Sequence, residues 1–359
     1  MVRVLTVFLC LFMFAYPEEI SIIPDFSYIY RDISDRKYEN LEVPGFSLEE
    51  NHKESGFRLN YVEIKLNYHL PYETTFYSTF HITEEQTEID EIYLRKKIQN
   101  LSLKGGKFRS SIGIINSRHQ HFWFFSQIPL IYQLLFSEHG LTEKGVGIEG
   151  RFNMLTAGAE ILNGENEISF GYQAIDKYGI DEEKRPSLYT LYLKTDLNVG
   201  RQKYHFGISY LKGKRRKNED EVISGNTQIY GLEFMFKKDK KTKIQGEYFF
   251  REIEGKMYYP NYQNLSKKQS GFYIQAVHYL NKKTGIGLRY DNINRNKING
   301  KKLTQNLEKY SFCVNYLPVD HIKIRIGYIY NNYGKIDGSK KDFNEFIAEI
   351  TLFLGKHKH

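Results

Sequence analysis

One tryptophan, eight prolines, two cysteines and no apolar run of eighteen residues set the first limits on this 359-residue chain. Without such a run there is no helical membrane span. Scarce proline beside 29 Tyr and 25 Phe argues against disorder and favours strands over helices. Cys10 lies in the apolar stretch Val4 to Phe14, between Met1-Val2-Arg3 and Ala15-Tyr16-Pro17. That order of charged, apolar and small residues reads as a secretory leader over residues 1–15. Phe8 and Leu9 precede Cys10 where a lipid-attachment signal wants small residues, so no lipid anchor is expected. Only Cys313 then remains in residues 16–359, which excludes an internal disulfide. Phosphate-loop and metalloprotease-helix motifs are missing too. Ser209 lies beside His205 on the same face four residues away, which alternation alone produces, so catalysis is not expected. The net charge of +8 falls to +7 with loss of Arg3 in the leader. A positive surplus on an exported chain suits anionic headgroups, lipopolysaccharide phosphates or anionic solutes rather than nucleic acid.

Mean hydropathy of −0.53 describes an average soluble protein, but the order of residues does not. Tyr204, Phe206, Ile208 and Tyr210 alternate with Lys203, His205, Gly207 and Ser209. Ile322, Ile324, Ile326, Tyr328 and Tyr330 alternate with Lys323, Arg325 and Gly327, and Phe346, Ala348, Ile350 and Leu352 with Glu345, Glu349 and Thr351. Turn sequences interrupt these runs at 70–73, 99–100, 198–200, 239–241, 281–283 and 318–320. Longer polar connectors fall at 212–226, 255–270, 292–306 and 331–341, and read as extracellular loops. Segments of about ten residues joined by alternating short and long connectors are the pattern of a transmembrane antiparallel β-barrel. The count is about sixteen strands, the first near Ile22 to Tyr30; Ile168 to Ile175 reads either as a strand or as a loop hairpin. A secreted β-sandwich also alternates. It does not explain aromatic-rich strand ends, alternating connector lengths and charges on strand after strand, which a lipid-embedded barrel does.

Alternation stops between Gly106 and Val146. By the strand count this is the third extracellular loop, and its apolar content predicts that residues 114–145 fold inward as a constriction, with Arg118, His119, His121 and Trp123 at the narrowing. The passages Gly105 to Arg109, His119 to Trp123, Pro129-Leu130 and Glu138 to Gly145, with the ending Gly355 to His359, are similar to a porin-like outer-membrane family related to the phosphate-selective porins. The resemblance implies a channel in the outer membrane of a Gram-negative-type cell, surrounded by lipid and lipopolysaccharide and assembled as a homotrimer. The C-terminus departs from the terminal aromatic common in bacterial barrels, with Phe353 the nearest substitute. Some members carry the label of zinc-regulated TonB-dependent receptors. Such receptors need a plug domain of roughly a hundred residues and a larger barrel, whereas strands here start directly after the leader.

The inward set comprises Glu91, Arg95, Lys203, His205, Glu233, Arg289, Asp291, Lys323 and Arg325, of mixed sign, expected to be solvated and to tune selectivity through their summed field. Lys214-Arg215-Arg216-Lys217 reads as a solvated loop or a lipopolysaccharide contact. His119 and His121, two apart, share a side. They either hydrogen-bond the loop to the wall or hold a zinc ion with Glu138, His139 or the tail histidines His357 and His359. No other cofactor is expected. The leading expectation is a passive channel for small hydrophilic solutes or ions; the alternatives are a metal-related uptake barrel and a structural or adhesive barrel with a closed lumen.

Overall fold

The computed structural model describes residues 19–46, 54–218, 221–336 and 339–355. The expected leader over residues 1–15 with Cys10, and the tail histidines, lie outside the described residues. Sixteen long strands alternate up and down: β1 (Glu19–Arg31), β2 (Gly56–Leu70), β3 (Thr74–Ile82), β4 (Thr87–Ile98), β5 (Leu101–Arg109), β6 (Thr142–Phe152), β7 (Leu155–Leu162), β8 (Leu188–Val199), β9 (Gln202–Asn218), β10 (Val222–Lys238), β11 (Thr242–Tyr259), β12 (Gln263–Tyr279), β13 (Thr284–Ile298), β15 (Leu307–Val319), β16 (Ile322–Ile336) and β17 (Ser339–Leu352). Two-residue strands β14 (Lys301–Lys302) and β18 (Leu354–Gly355) pair with β13 and β1. Each long strand pairs antiparallel with its neighbours, and β1 pairs with both β2 and β17. That closure removes both sheet edges, so the ladder satisfies the backbone without water. Among the described residues no helix is long and apolar enough to cross a membrane.

The period of two survives closure. Leu288 is 63% exposed, and Ile208, Leu232, Phe312 and Tyr328 also face outward. Tyr210 packs against Tyr230 with the rings tilted, while Phe272, Tyr290, Tyr310 and Tyr330 run as a chain of ring contacts across β12 to β16. Tyr204 and Phe236 form a second level near the turns. Amphipathic rings at two heights on an apolar wall are the interfacial girdles of a membrane barrel.

The predicted long loops are shorter than expected. β9 and β10 continue through most of 212–226, β11 and β12 through 255–270, and β16 and β17 through 331–341. Above the lipid both faces of a strand meet water or loops, so the apolar-out rule lapses while the ladder continues; polarity there marks the membrane boundary and not the end of a strand. Ile168 to Ile175 is loop, with one isolated bridge from Ile175 to Ile180. The basic run differs from its reading as well. Within β9, Arg215 is buried and donates to the carbonyls of Glu167 at 2.6 Å and Phe170 at 2.7 Å, and Arg216 pairs with Glu183. These arginines hold the loop over residues 163–187 down. We expect Arg215→Ala to raise hydrogen exchange at 167–170 by at least tenfold in a barrel that still folds, since two buried carbonyls lose a charged donor; unchanged exchange would show that the arginine is not the fastener.

Candidate functional site at the third loop

The segment between β5 and β6 is held by inward-facing side chains of the wall. Its attachment begins at Gly113, whose φ of +65° and position beside Glu247 leave no room for a side chain: a Cβ would collide with Tyr132 Oη and Glu247 Oε2. This close approach lets Ile114 and Ile115 donate their backbone N–H groups to Glu247 at 3.0 Å each. Tyr132 and Tyr273 hydroxyls donate to the same carboxylate at 2.6 Å. Farther along, Arg289 donates to the Gln127 carbonyl and Asp291 accepts from the Leu130 N–H at 2.8 Å. Lys323 donates to the carbonyls of His121 and Trp123, and Arg325 to that of Trp123. The segment closes where Asn116 Oδ1 accepts from Leu141 N–H at 2.6 Å; Gly140, at φ +71°, lies against that side chain where a Cβ would collide. The resemblance passage at 138–145 thus contains Gly140 and Leu141, which Asn116 clasps to the start of the loop at Ser110.

Apolar packing completes the attachment. Helix Leu130–Phe136 follows Pro129 and has six fully buried residues. It joins Leu41 and Val43 of the first loop, Phe170 of the fourth, and inward residues including Leu188, Ile229, Phe249, Ile293 and Phe343 in one core at the outer half of the barrel. At about 25 cal/mol per Å² of apolar surface, such burial outweighs the entropy of ordering a seven-residue helix only because the wall faces it.

The side toward β2–β5 is polar. A bulge in the β3–β4 pairing, between Thr79 and Phe80, turns two successive acids, Asp90 and Glu91, inward. Asp90 pairs with Arg109 at 3.2 Å and Glu91 accepts from the Arg109 backbone N–H. His119 Nε2 lies 2.8 Å from Glu91 Oε2, and its Nδ1 3.4 Å from Glu63 Oε2. His121 Nδ1 lies 3.5 Å, and His81 Nε2 3.0 Å, from the same Glu63 oxygen. The rings of His119 and His121 stack with centroids 5.7 Å apart. Burial alone would depress both imidazoles, but the carboxylates of Glu63 and Glu91 reverse this for His119 and hold its pKa up at about 9. For His121 burial prevails over Glu63 and pushes the pKa down to about 4.

Of the predicted inward set, Glu91, Glu233, Arg289, Asp291, Lys323 and Arg325 are buried. Arg289 pairs with Asp291 at 2.8 Å, Arg325 with Glu349, and Glu233 with Lys194 and His205. Arg95, Lys203 and His205 line polar cavities. Arg118 is exposed into the lumen, and Trp123 donates its indole N–H to the Arg118 carbonyl. His139 pairs with Glu138 at 3.6 Å and stands apart from the His119 cluster. The residues that sequence reasoning missed are Glu63, His81, Asp90, Arg109 and Glu247. Consecutive acids at 90–91 were the one visible irregularity.

A closed sixteen-stranded barrel with a wall-anchored third loop has the architecture of outer-membrane porins, and solved structures agree. OmpT of Vibrio cholerae in its trimer form superposes with TM-score 0.61, covering 93% of this chain and 98% of that one at 11% identity. The outer-membrane channel DcaP of Acinetobacter baumannii gives 0.61 over 94% and 96% at 10% identity, and an anion-selective porin of Comamonas acidovorans 0.61 over 93% and 98% at 8%. At these identities the likeness is one of fold. No protein-family profile matches the chain. The chain belongs to the same family as an uncharacterized protein of Aquifex aeolicus, with which it is 35% identical over 375 residues, covering 96% of this chain and 79% of that protein.

Proposed function

We propose that the protein is an outer-membrane porin, a passive channel for small hydrophilic solutes that favours anions, with residues 114–140 as its constriction. The observation that carries this reading is the cavity of about 430 Å³ beneath the loop. Its charged lining is Arg118, Lys237, Lys240, Lys243, Lys282, Arg289 and Lys323, with no carboxylate. The wall does supply acids, but Glu91, Glu247, Asp291 and Glu349 are spent on loop donors or paired cations, and Arg289 and Lys323 on Asp291 and loop carbonyls, which leaves Arg118, Lys237, Lys240, Lys243 and Lys282 facing the space. A cation-lined, low-dielectric cleft concentrates anions. Two neighbouring polar cavities extend it, sharing Arg118 and Lys237 on one side and Lys194 and His205 on the other. An anion-favouring lumen is in keeping with the resemblance to phosphate-selective porins. The barrel sits in the outer membrane of a Gram-negative-type cell, with lipid and lipopolysaccharide around it. The trimer form of the Vibrio protein makes a homotrimer the assembly to test by cross-linking.

Planar-bilayer recording tests the reading. The full chain should give steps of ohmic conductance and a zero-current potential of anionic sign in a potassium chloride gradient. Lys237→Glu with Lys243→Glu should move that potential toward the cationic side by tens of millivolts while conductance stays within about twofold, because the field changes and the loop anchors do not. Conductance indistinguishable from an empty bilayer would sink the channel and favour a second reading, a surface barrel closed at its outer end. That reading has its own support in the apolar core that the first, third and fourth loops build across the lumen.

A further inference from the structure

We propose that Glu63, His81 and His119, with His121 as the fourth ligand, bind one divalent transition-metal ion of the zinc class and thereby fasten the third loop to the barrel wall. This goes beyond the channel reading and does not depend on it.

Three imidazole nitrogens converge on a single carboxylate oxygen, Glu63 Oε2, at 3.0, 3.4 and 3.5 Å. One carboxylate between three rings is more convergence than a hydrogen-bonded tether requires. Ligating atoms of Glu63, His81 and His119 all lie within 4.8 Å of one another, and all three residues are buried. A tetrahedral ion with bonds of about 2.0–2.1 Å needs them about 3.3 Å apart, a closure of up to about 1.5 Å for these three; His121 lies outside their grouping and must swing in further to supply the fourth ligand. A second observation is independent of that convergence: Glu63 is fully buried, and its other oxygen, Oε1, has no hydrogen-bond partner among the described residues. An unsatisfied carboxylate oxygen in a dry site is costly, and a metal would satisfy it.

The surroundings also have the form of a metal site. With Nδ1 toward the ion, His119 gives its Nε2 N–H to Glu91 at 2.8 Å, which fixes the tautomer and orients the ring. Asp90 and Glu91 make a second acidic grouping with His119, but Asp90 is committed to the Arg109 guanidinium and Glu91 to the Arg109 N–H and His119. That leaves the Glu63 side as the open one. His81 and Glu63 come from β3 and β2, and His119 and His121 from the loop. An ion here therefore joins two elements that the chain itself links only through β4 and β5. Three nitrogens and one oxygen suit zinc, nickel or cobalt better than calcium or magnesium.

The test uses the full-length folded barrel in detergent, stripped with chelator and titrated with zinc by calorimetry, in a His357→Ala, His359→Ala background so that the tail does not bind. We expect one zinc per chain at micromolar affinity or tighter, and a tetrahedral visible spectrum with cobalt(II). His81→Gln and His119→Gln should each weaken binding by at least tenfold while heat-modifiable migration shows an intact barrel. Glu91→Gln, which changes an orienting group and no ligand, should weaken it by about tenfold. No stoichiometric zinc in the folded protein would overturn the proposal. Binding that persists unchanged in both histidine variants would overturn it equally.

Discussion

Leu288→Arg should abolish assembly, whereas Lys203→Glu should leave the barrel folded. Leu288 is the fifth residue of β13 and Lys203 the second of β9, both on the turn side of long strands, and both are solvent-exposed in the isolated chain. Their surroundings differ. Leu288 projects from the outer wall at 63% exposure, beside the Phe272–Tyr290–Tyr310 ring chain, where the solvent is hydrocarbon. Lys203 borders a polar cavity with His205, Lys237 and Asp196. An arginine at mid-membrane on the lipid face costs about 2–4 kcal/mol, a large share of a marginal total, while a charge exchanged inside an aqueous lumen costs little. Folding into lipid vesicles, read as heat-modifiable migration and as the guanidinium midpoint, separates the two. Equal folded yields would mean that the inward and outward faces have been assigned the wrong way round.

This assignment was legible because it depends on a local rule. Tyr204 to Tyr210 and Ile322 to Tyr330 declare their faces through the period of two, and polar turns between them set the strand count. Strand extent was not legible: residues such as 212–218 and 255–259 carry the composition of loops because they stand above the lipid, where only the ladder matters. The loop site was half legible. His119 and His121 drew notice as a pair in a segment that broke the pattern, but their partners did not. Glu63 and His81 are single inward residues of regular strands, indistinguishable by alternation from Lys65 or Thr79, and the contacts that single them out are set by how far the loop reaches across the lumen. The same holds for Arg289, Asp291 and Lys323. Periodicity places them inside, yet only the path of residues 121–130 decides whether they meet water or a backbone carbonyl. The bulge at Asp90 is intermediate, since two adjacent acids in a strand hint that the pleat is broken without saying which element will meet them.

The effect of removing Glu247 follows from that division between wall and loop. In β11 it reads as one more lumen acid, but it accepts four hydrogen bonds, from Ile114 N–H, Ile115 N–H, Tyr132 OH and Tyr273 OH, and is itself buried. Glu247→Leu leaves the wall's ladder untouched and strands four donors in a dry site. Each such donor costs about 1–3 kcal/mol, so the loop should lose several kcal/mol of attachment and sample a detached state that the parent chain rarely reaches. Hydrogen exchange over 112–136 should then accelerate by at least a hundredfold, while exchange in β12 to β16 stays unchanged. If the loop is the constriction, the same variant should show larger and noisier single-channel steps in the same recordings. Glu247→Gln is the control: its amide oxygen still accepts, and it should fall between the leucine variant and the parent. Protection of 112–136 that survives the leucine change would show that the apolar core around helix Leu130–Phe136 holds the loop without the carboxylate. Faster exchange at unchanged conductance would show that the loop is anchored as described but does not set the width of the pore.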